Sequence, residues 1–149
     1  MHSTALGRDI RQVDRLIGHY AESHRHPTNI TIHWICVPII VWCTLALLWL
    51  LHPYVAAAGV VLSLVYYARL SWAFTAVMAV FSVLCLASYT VVPYLGWTAL
   101  ALFVITWVFQ FIGHRIEGKK PSFLEDLQYL LVGPIFLLAK LFRKLGLSY

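Results

Sequence analysis

Residues 20–33 read YAESHRHPTNITIH and place His24, His26 and His33, with Glu22, Arg25 and Asn29, just ahead of a long apolar run. Far along the chain, residues 110–117 read QFIGHRIE and supply His114 and, three residues on, Glu117. Histidine and carboxylate side chains are the usual donors for iron, zinc and manganese. A histidine and a glutamate at i and i+3 share one helix face, and metal centres in helix bundles use that spacing. His24 and His33 lie on either side of the Pro27–Asn29 break, where proline disfavours a helical residue before it, so the two rings could face one point. Three neutral imidazoles and one carboxylate, from His24, His33, His114 and Glu117, would make a non-haem iron site with a coordination position left for substrate or dioxygen.

The other candidates read more plainly. His19 and His26 suit headgroup contacts or helix caps, His52 stands at a proline turn, and His2 lies near the start of the sequence. Gly118, Lys119, Lys120 and Pro121 read as a loop with lipid-facing lysines. Cys36, Cys43 and Cys85 fall inside apolar runs. An odd count there gives no disulfide framework, and cysteine packs as a small core residue.

These side chains must be carried by elements that suit lipid. The chain has 149 residues, the length of one domain, and is 61% hydrophobic but only 11% charged. A soluble domain is about 45–50% apolar and about 25% charged, so the composition predicts an all-α, polytopic membrane protein forming a single integral domain over 1–149. Within 8–26, apolar positions Ile10, Val13, Leu16, Ile17 and Tyr20 recur at steps of 3 and 4, the mark of an amphipathic helix lying along the membrane surface or under the bundle. Four apolar runs follow, at about 31–51, 54–70, 72–92 and 97–114, against the roughly 17–25 residues that a membrane-crossing helix needs. Thr28 or Asn29 is placed to cap the first. Trp34, Trp72 and Trp97 sit near run ends, where aromatic belts form. In the tail, Ser122 and Glu125 make an S-x-x-E capping box. Residues 123–142 then predict a short helix, a break at Gly133–Pro134, and an interfacial or re-entrant helix, with a fifth span left open.

Charge gives the orientation. Arg8, Arg11, Arg15 and Arg25 precede the first run, and Arg69 lies between the second and third. Arg115, Lys119, Lys120, Lys140, Arg143 and Lys144 follow the fourth, and the connections near 52–54 and 93–96 carry no charge. The positive-inside rule then puts both termini in the cytoplasm and sets His24, His26, His33 and His114 at one depth. The net charge of +5 is explained by orientation and anionic lipid, and with no recognition motif it does not point to nucleic acid. The first 30 residues hold no apolar leader core, so the first span is expected to serve as insertion signal.

Three competing chemistries are weaker. A bis-histidine haem would place His33 and His114 on facing helices, but the polar residues crowded around them suit a bare metal better. Membrane desaturases need clustered H-x-x-H-H boxes, which this chain lacks. A proton or ion relay needs charge within the spans, and the spans contain no acid and only Arg69, at an end. A non-enzymatic membrane module binding lipid or haem is the alternative reading.

The segment YAESHRHPTNITIHWICVP follows the pattern Y-x3-H-x2-P-x-N-x3-H-x4-P, and QFIGHRIEGKKPSFLEDLQYLLVGPIF combines Gly-His, a following Glu, Lys-Pro and a late Gly-Pro. In this order around four apolar runs, the pair resembles the fungal 2-hydroxy fatty acid dioxygenase family and its bacterial relatives, over nearly the whole chain. The resemblance implies an iron(II)-dependent dioxygenase performing α-oxidation, which shortens a 2-hydroxy fatty acid by one carbon with dioxygen and releases carbon dioxide. It carries His24, Asn29, His33 and His114 onto the family's pattern. Many relatives of that family place the acid four residues after the last histidine, whereas Glu117 follows His114 by three. Substrate carboxylate and hydroxyl would chelate iron at the membrane surface, with Arg25, Arg115 or Lys119 pairing with the carboxylate and Asn29 orienting a ligand or the substrate. The acyl tail would lie between apolar spans. The setting expected is an integral membrane location, the bacterial inner membrane or, in a eukaryote, the endoplasmic reticulum, among membrane lipids and with homo-oligomerisation left open.

Overall fold

The computed structural model describes residues 11–119, 124–125 and 129–149, and every regular element among them is a helix. These are α1 (Gln12–Ala21), α2 (Pro27–Leu51), α3 (Pro53–Ala68), α4 (Trp72–Ser88), α5 (Leu95–Glu117) and α6 (Val132–Lys144). The all-α expectation holds for them. Each apolar run of the sequence corresponds to one of α2–α5, and α5 runs on to Glu117, so His114 and Glu117 do share a helix.

Two helix starts use the same device. His26 and His52 stand in extended backbone, each followed by a proline at the first helical position, and each ring accepts the N–H two residues on (Thr28 and Tyr54). Proline fits there because the first turn has no use for its missing N–H. The cap of α2 is therefore His26, not Thr28 or Asn29 as the residue types suggested. Gly118, with φ 79°, ends α5: its own N–H reaches Arg115 and that of Lys119 reaches His114, a Schellman closure that needs a left-handed residue. Gly133 and Pro134 do not break a helix as expected. They lie in the first turn of α6, where proline is tolerated. The capping-box Ser122, Arg8, Lys120 and residues 8–10 of the expected amphipathic helix lie outside the described residues.

Among the described residues, α2 and α5, with 25 and 23 residues, are the helices long and apolar enough to cross a membrane. With 16 and 17 residues, α3 and α4 rise roughly 25 Å each at 1.5 Å per residue, short of the ~30 Å of a hydrocarbon core. The 13 residues of α6 are too few for a fifth span.

Helix α2 is the centre of the bundle, packing on α3, α4, α5 and α6, while α1 packs on α6. Its most extensive partner is α5, which runs antiparallel: Asn29 lies against Gly113 at one end, and Leu50 against Gly96 at the other. Glycine and alanine let the helices approach closely where hydrophobic driving force is weak; Ala46, Ala56 and Ala99 are fully buried at the far end, with Cys85 and Tyr89. There Tyr89 donates to the Trp42 carbonyl at 2.7 Å and Trp42 to Ser88 Oγ at 2.8 Å. At the near end, Val13, Ile17 and Tyr20 of α1 meet Ile135 and Phe136 of α6 over Tyr67 and Phe74. The α1 apolar face thus packs under the bundle, where 3- and 4-residue spacing predicts a single buried stripe.

Candidate metal centre

The near end carries the site. Beyond α1, the N–H groups of Glu22, Ser23 and His24 reach back three residues to His19, Tyr20 and Ala21. This tight turn delivers His24 beside α2. His33 stands two turns into α2 and His114 in the last turn of α5. The three rings are 4%, 2% and 5% exposed, which withdraws them from water. Their ligand-capable nitrogens lie within 4.8 Å of one another.

Hydrogen bonding fixes which nitrogens face inward. His24 Nδ1 is 2.7 Å from the Tyr20 carbonyl, and His33 Nδ1 is 2.8 Å from the Asn29 carbonyl. A carbonyl oxygen only accepts, so each ring donates through Nδ1 and, when neutral, presents a bare lone pair at Nε2. Those two Nε2 atoms are 2.9 Å apart. Two lone pairs at that distance repel unless a cation lies between them. Two imidazole nitrogens at ~2.0–2.1 Å from one ion, at right angles, would be about 3 Å apart. The donor set therefore fits a metal ion. The edge-on His114 ring, 5.2 and 5.3 Å by centroid from the other two, offers the third donor. Tyr20 stacks flat on His24, 4.0 Å between centroids, and holds the ring from behind.

The structure brings three of the four expected donors together, and the fourth goes elsewhere. Glu117 Oε1 accepts the Arg25 N–H at 2.9 Å, while Oε2 accepts the His26 N–H at 2.7 Å and Asn29 Nδ2 at 3.2 Å. Backbone donors ahead of a helix lack partners in their own helix and attract an anion. Glu117 supplies that anion from α5 and ties the His24–Asn29 segment down. Its oxygens are committed to the Arg25 and His26 N–H groups and the Asn29 amide, not to the three rings.

Asn29 is fully buried. Its amide donates to Glu117 and, at 3.3 Å, to the Ser23 carbonyl, and its own carbonyl takes the His33 Nδ1–H. Its backbone carbonyl thus orients the His33 ring. Arg25, Arg115 and Lys119 are exposed at the rim of the same end. His19 and His26 are exposed and outside the cluster.

Sequence reading missed Gln110, and it held Tyr20 and Gly113 only as unassigned positions of the two patterns. Gln110, 4% exposed, lines with His33, Trp107 and Tyr129 a cavity of about 30 Å³. That space holds a water or two. The available signal was position: Gln110 is the lone amide in an apolar run, four residues before His114, and Tyr20 is four before His24. The role of Gly113 shows only in space, where a Cβ would collide with Asn29 Oδ1.

The chain matches the family model described as 2-hydroxy-palmitic acid dioxygenase Mpo1-like over residues 10–145. A curated relative, the 2-hydroxy-palmitic acid dioxygenase MPO1 of Saccharomyces cerevisiae, is 29% identical over 151 residues, covering 95% of this chain and 86% of the relative. No solved structure matches the chain. The family match spans α1 to α6 and all three clustered histidines, and so the chain belongs to the 2-hydroxy-palmitic acid dioxygenase Mpo1-like family.

Proposed function

We propose that this protein is an iron(II)-dependent dioxygenase of a membrane, converting a 2-hydroxy fatty acid and dioxygen to the fatty acid one carbon shorter, carbon dioxide and water. These products balance the atoms, and substrate carbon supplies all four electrons that dioxygen takes up. The observation that carries the reading is the pair of Nε2 lone pairs of His24 and His33, 2.9 Å apart, in a chain of this family. Iron(II) suits imidazole ligands, and it supplies Lewis acidity and the binding and activation of dioxygen.

The protein's own residues do the rest. His24, His33 and His114 would hold the ion, leaving positions for the carboxylate and hydroxyl of the substrate. The Tyr20 and Asn29 carbonyls keep two of the rings in the Nδ1–H tautomer, as outer hydrogen bonds commonly do for metal-bound histidine. Glu117 and Asn29 position the loop that bears His24. Arg25, Arg115 and Lys119 would draw the carboxylate to the rim through charge-assisted contacts, and Phe136 and Tyr20, packed against His24, keep bulk water from it. α2–α5 would all lie in the membrane, the two short helices matched by local thinning or by flanking aromatics such as Trp72. Both termini would face the cytoplasm.

The test is a purified sample assayed for metal and for turnover of 2-hydroxypalmitate under ferrous iron and oxygen. Iron near one per chain, with the shortened acid formed, is expected. A Soret absorbance band, or no product from any 2-hydroxy acid, would instead favour a lipid- or haem-binding module.

A further inference from the structure

A cavity of about 200 Å³ lies between α2, α3 and α4, walled by Thr44 and Leu48 of α2, Gly59 and Ser63 of α3, and Met78 and Ser82 of α4. Apolar spaces of this kind take up apolar ligands. Its polar wall atoms are mostly masked. Thr44 donates to the Ile40 carbonyl and Ser63 to that of Gly59, both at 2.8 Å. Tyr67, also on the wall, donates to the Leu131 carbonyl at 2.8 Å. What the space offers a guest is hydrocarbon.

Its position relative to the histidines is the second observation. The small cavity beside His33 and this larger one have Leu130 as a common wall. Leu130 belongs to the turn before α6, which is fixed by the Tyr67 bond and by the Val132 and Gly133 N–H groups on the Tyr129 carbonyl. A chain whose polar head sits at the three histidines therefore meets, one side chain further on, an apolar space inside the bundle.

We propose that the hydrocarbon chain of the substrate passes Leu130 and lies in this cavity between α2, α3 and α4, with Gly59, Ser63 and Ser82 setting the length it accepts. This rests on the reading of the protein as an enzyme of 2-hydroxy fatty acids. Small residues make the room: a Cβ on Gly59 would already come within 3.1 Å of the Leu48 side chain. A second apolar cavity, of about 120 Å³ between α2, α4 and α6, touches the small cavity through Val37. It is smaller and does not include Leu130, so it ranks second.

Full-length protein in lipid nanodiscs would be photolabelled with 2-hydroxypalmitate bearing a diazirine at its chain end, and the labelled peptides mapped. Labels on the α3 and α4 segments around Ser63 and Ser82, competed by unlabelled 2-hydroxypalmitate, are expected. Labels around Val77 and Pro134, or on outward positions such as Val80, would overturn the proposal. So would equal, uncompeted labelling of the cavity by a phospholipid with the same tail. Kinetics give an independent arm: Ser82→Phe should lower kcat/KM for 2-hydroxypalmitate about tenfold or more, as pocket-filling does, while sparing 2-hydroxyoctanoate. Val80→Phe, on the outward face of the same helix, should leave both unchanged, and matched elution of Ser82→Phe on size exclusion shows that the fold is intact. Equal losses on both acids by a well-folded Ser82→Phe would also overturn it. Labelling needs no turnover, so competed labelling in the cavity without product would sink the proposed reaction and leave the chain site standing; product with labels elsewhere would do the reverse.

Discussion

His24 and His33 meet Nε2 to Nε2 at 2.9 Å, each held through Nδ1 by a carbonyl four residues upstream, Tyr20 for one and Asn29 for the other. The repeated i−4 bond ties each ring's orientation to its own local backbone. What remains facing inward is a pair of acceptors with no proton to share in the neutral state. The predictions below test what that pair is for.

Ferrous iron should stabilise the protein and do so through these rings. A ligand at a hundred times its dissociation constant adds about 2.7 kcal/mol, which for this chain length corresponds to a rise in Tm of roughly 5–10 °C. The rise should vanish in His24→Ala, His33→Ala and His114→Ala, each with turnover at background. Thermal scans in nanodiscs with and without iron decide this, and an undiminished shift in all three variants would place the ion elsewhere.

Glu117 should behave as a support and not as a donor to the metal. Glu117→Gln keeps an acceptor oxygen but loses the charge that draws in the Arg25 and His26 N–H groups. Losing such a support typically weakens metal affinity about 10- to 100-fold. Iron titration should show weakened binding with unchanged stoichiometry. Stoichiometry falling to that of His33→Ala would make Glu117 a direct ligand.

Gly113→Ala should be costly for a steric reason alone. The new methyl would collide with Asn29 Oδ1, forcing α2 and α5 apart near the site, at roughly 1–3 kcal/mol for an overpacked contact. Contacting residues do not add, so pairing it with Asn29→Ala should cost clearly less than the two single changes summed. Denaturation of the four proteins forms the cycle, and simple additivity would mean that the contact is not the cause.

Orientation is checked by labelling. In a background with Cys36, Cys43 and Cys85 replaced by alanine, a cysteine at Tyr94 should react with an impermeant maleimide from the outside of intact cells, and one at Arg143 only after lysis. The reverse pattern would invert the topology. All described lysines and arginines lie at the Arg143 end of the bundle or its flanks, from Arg11 to Arg115 and beyond, and none falls in 27–68 or 70–114.

Much of this was open to sequence reading, because helices in apolar runs are decided locally. Hydropathy located α2–α5 and steps of 3 and 4 located the buried face of α1; Pro27 and Pro53 read as a break and an end, whereas each opens a helix. The errors came where local chemistry had two outcomes. Thr28 and Asn29 are good caps in general, but His26 stood one residue before the proline and took the role. Gly133–Pro134 reads equally as a break or as a first turn, and the packing of α6 on α1 chose the latter.

By itself the sequence determined an all-helical chain with its charge at one end, and it named the three histidines as candidates for one site, since their types and their shared depth follow from composition and order. Only the tertiary structure decided that His24, His33 and His114 converge within 4.8 Å, that Glu117 turns to the N–H groups of Arg25 and His26, and that Gly113 makes room for Asn29. Those outcomes depend on how closely two antiparallel helices approach and on which of several backbone donors reaches a carboxylate first. Both are set by packing between residues some 90 positions apart (Asn29 and Glu117 are separated by 88), a distance over which no local spacing carries information.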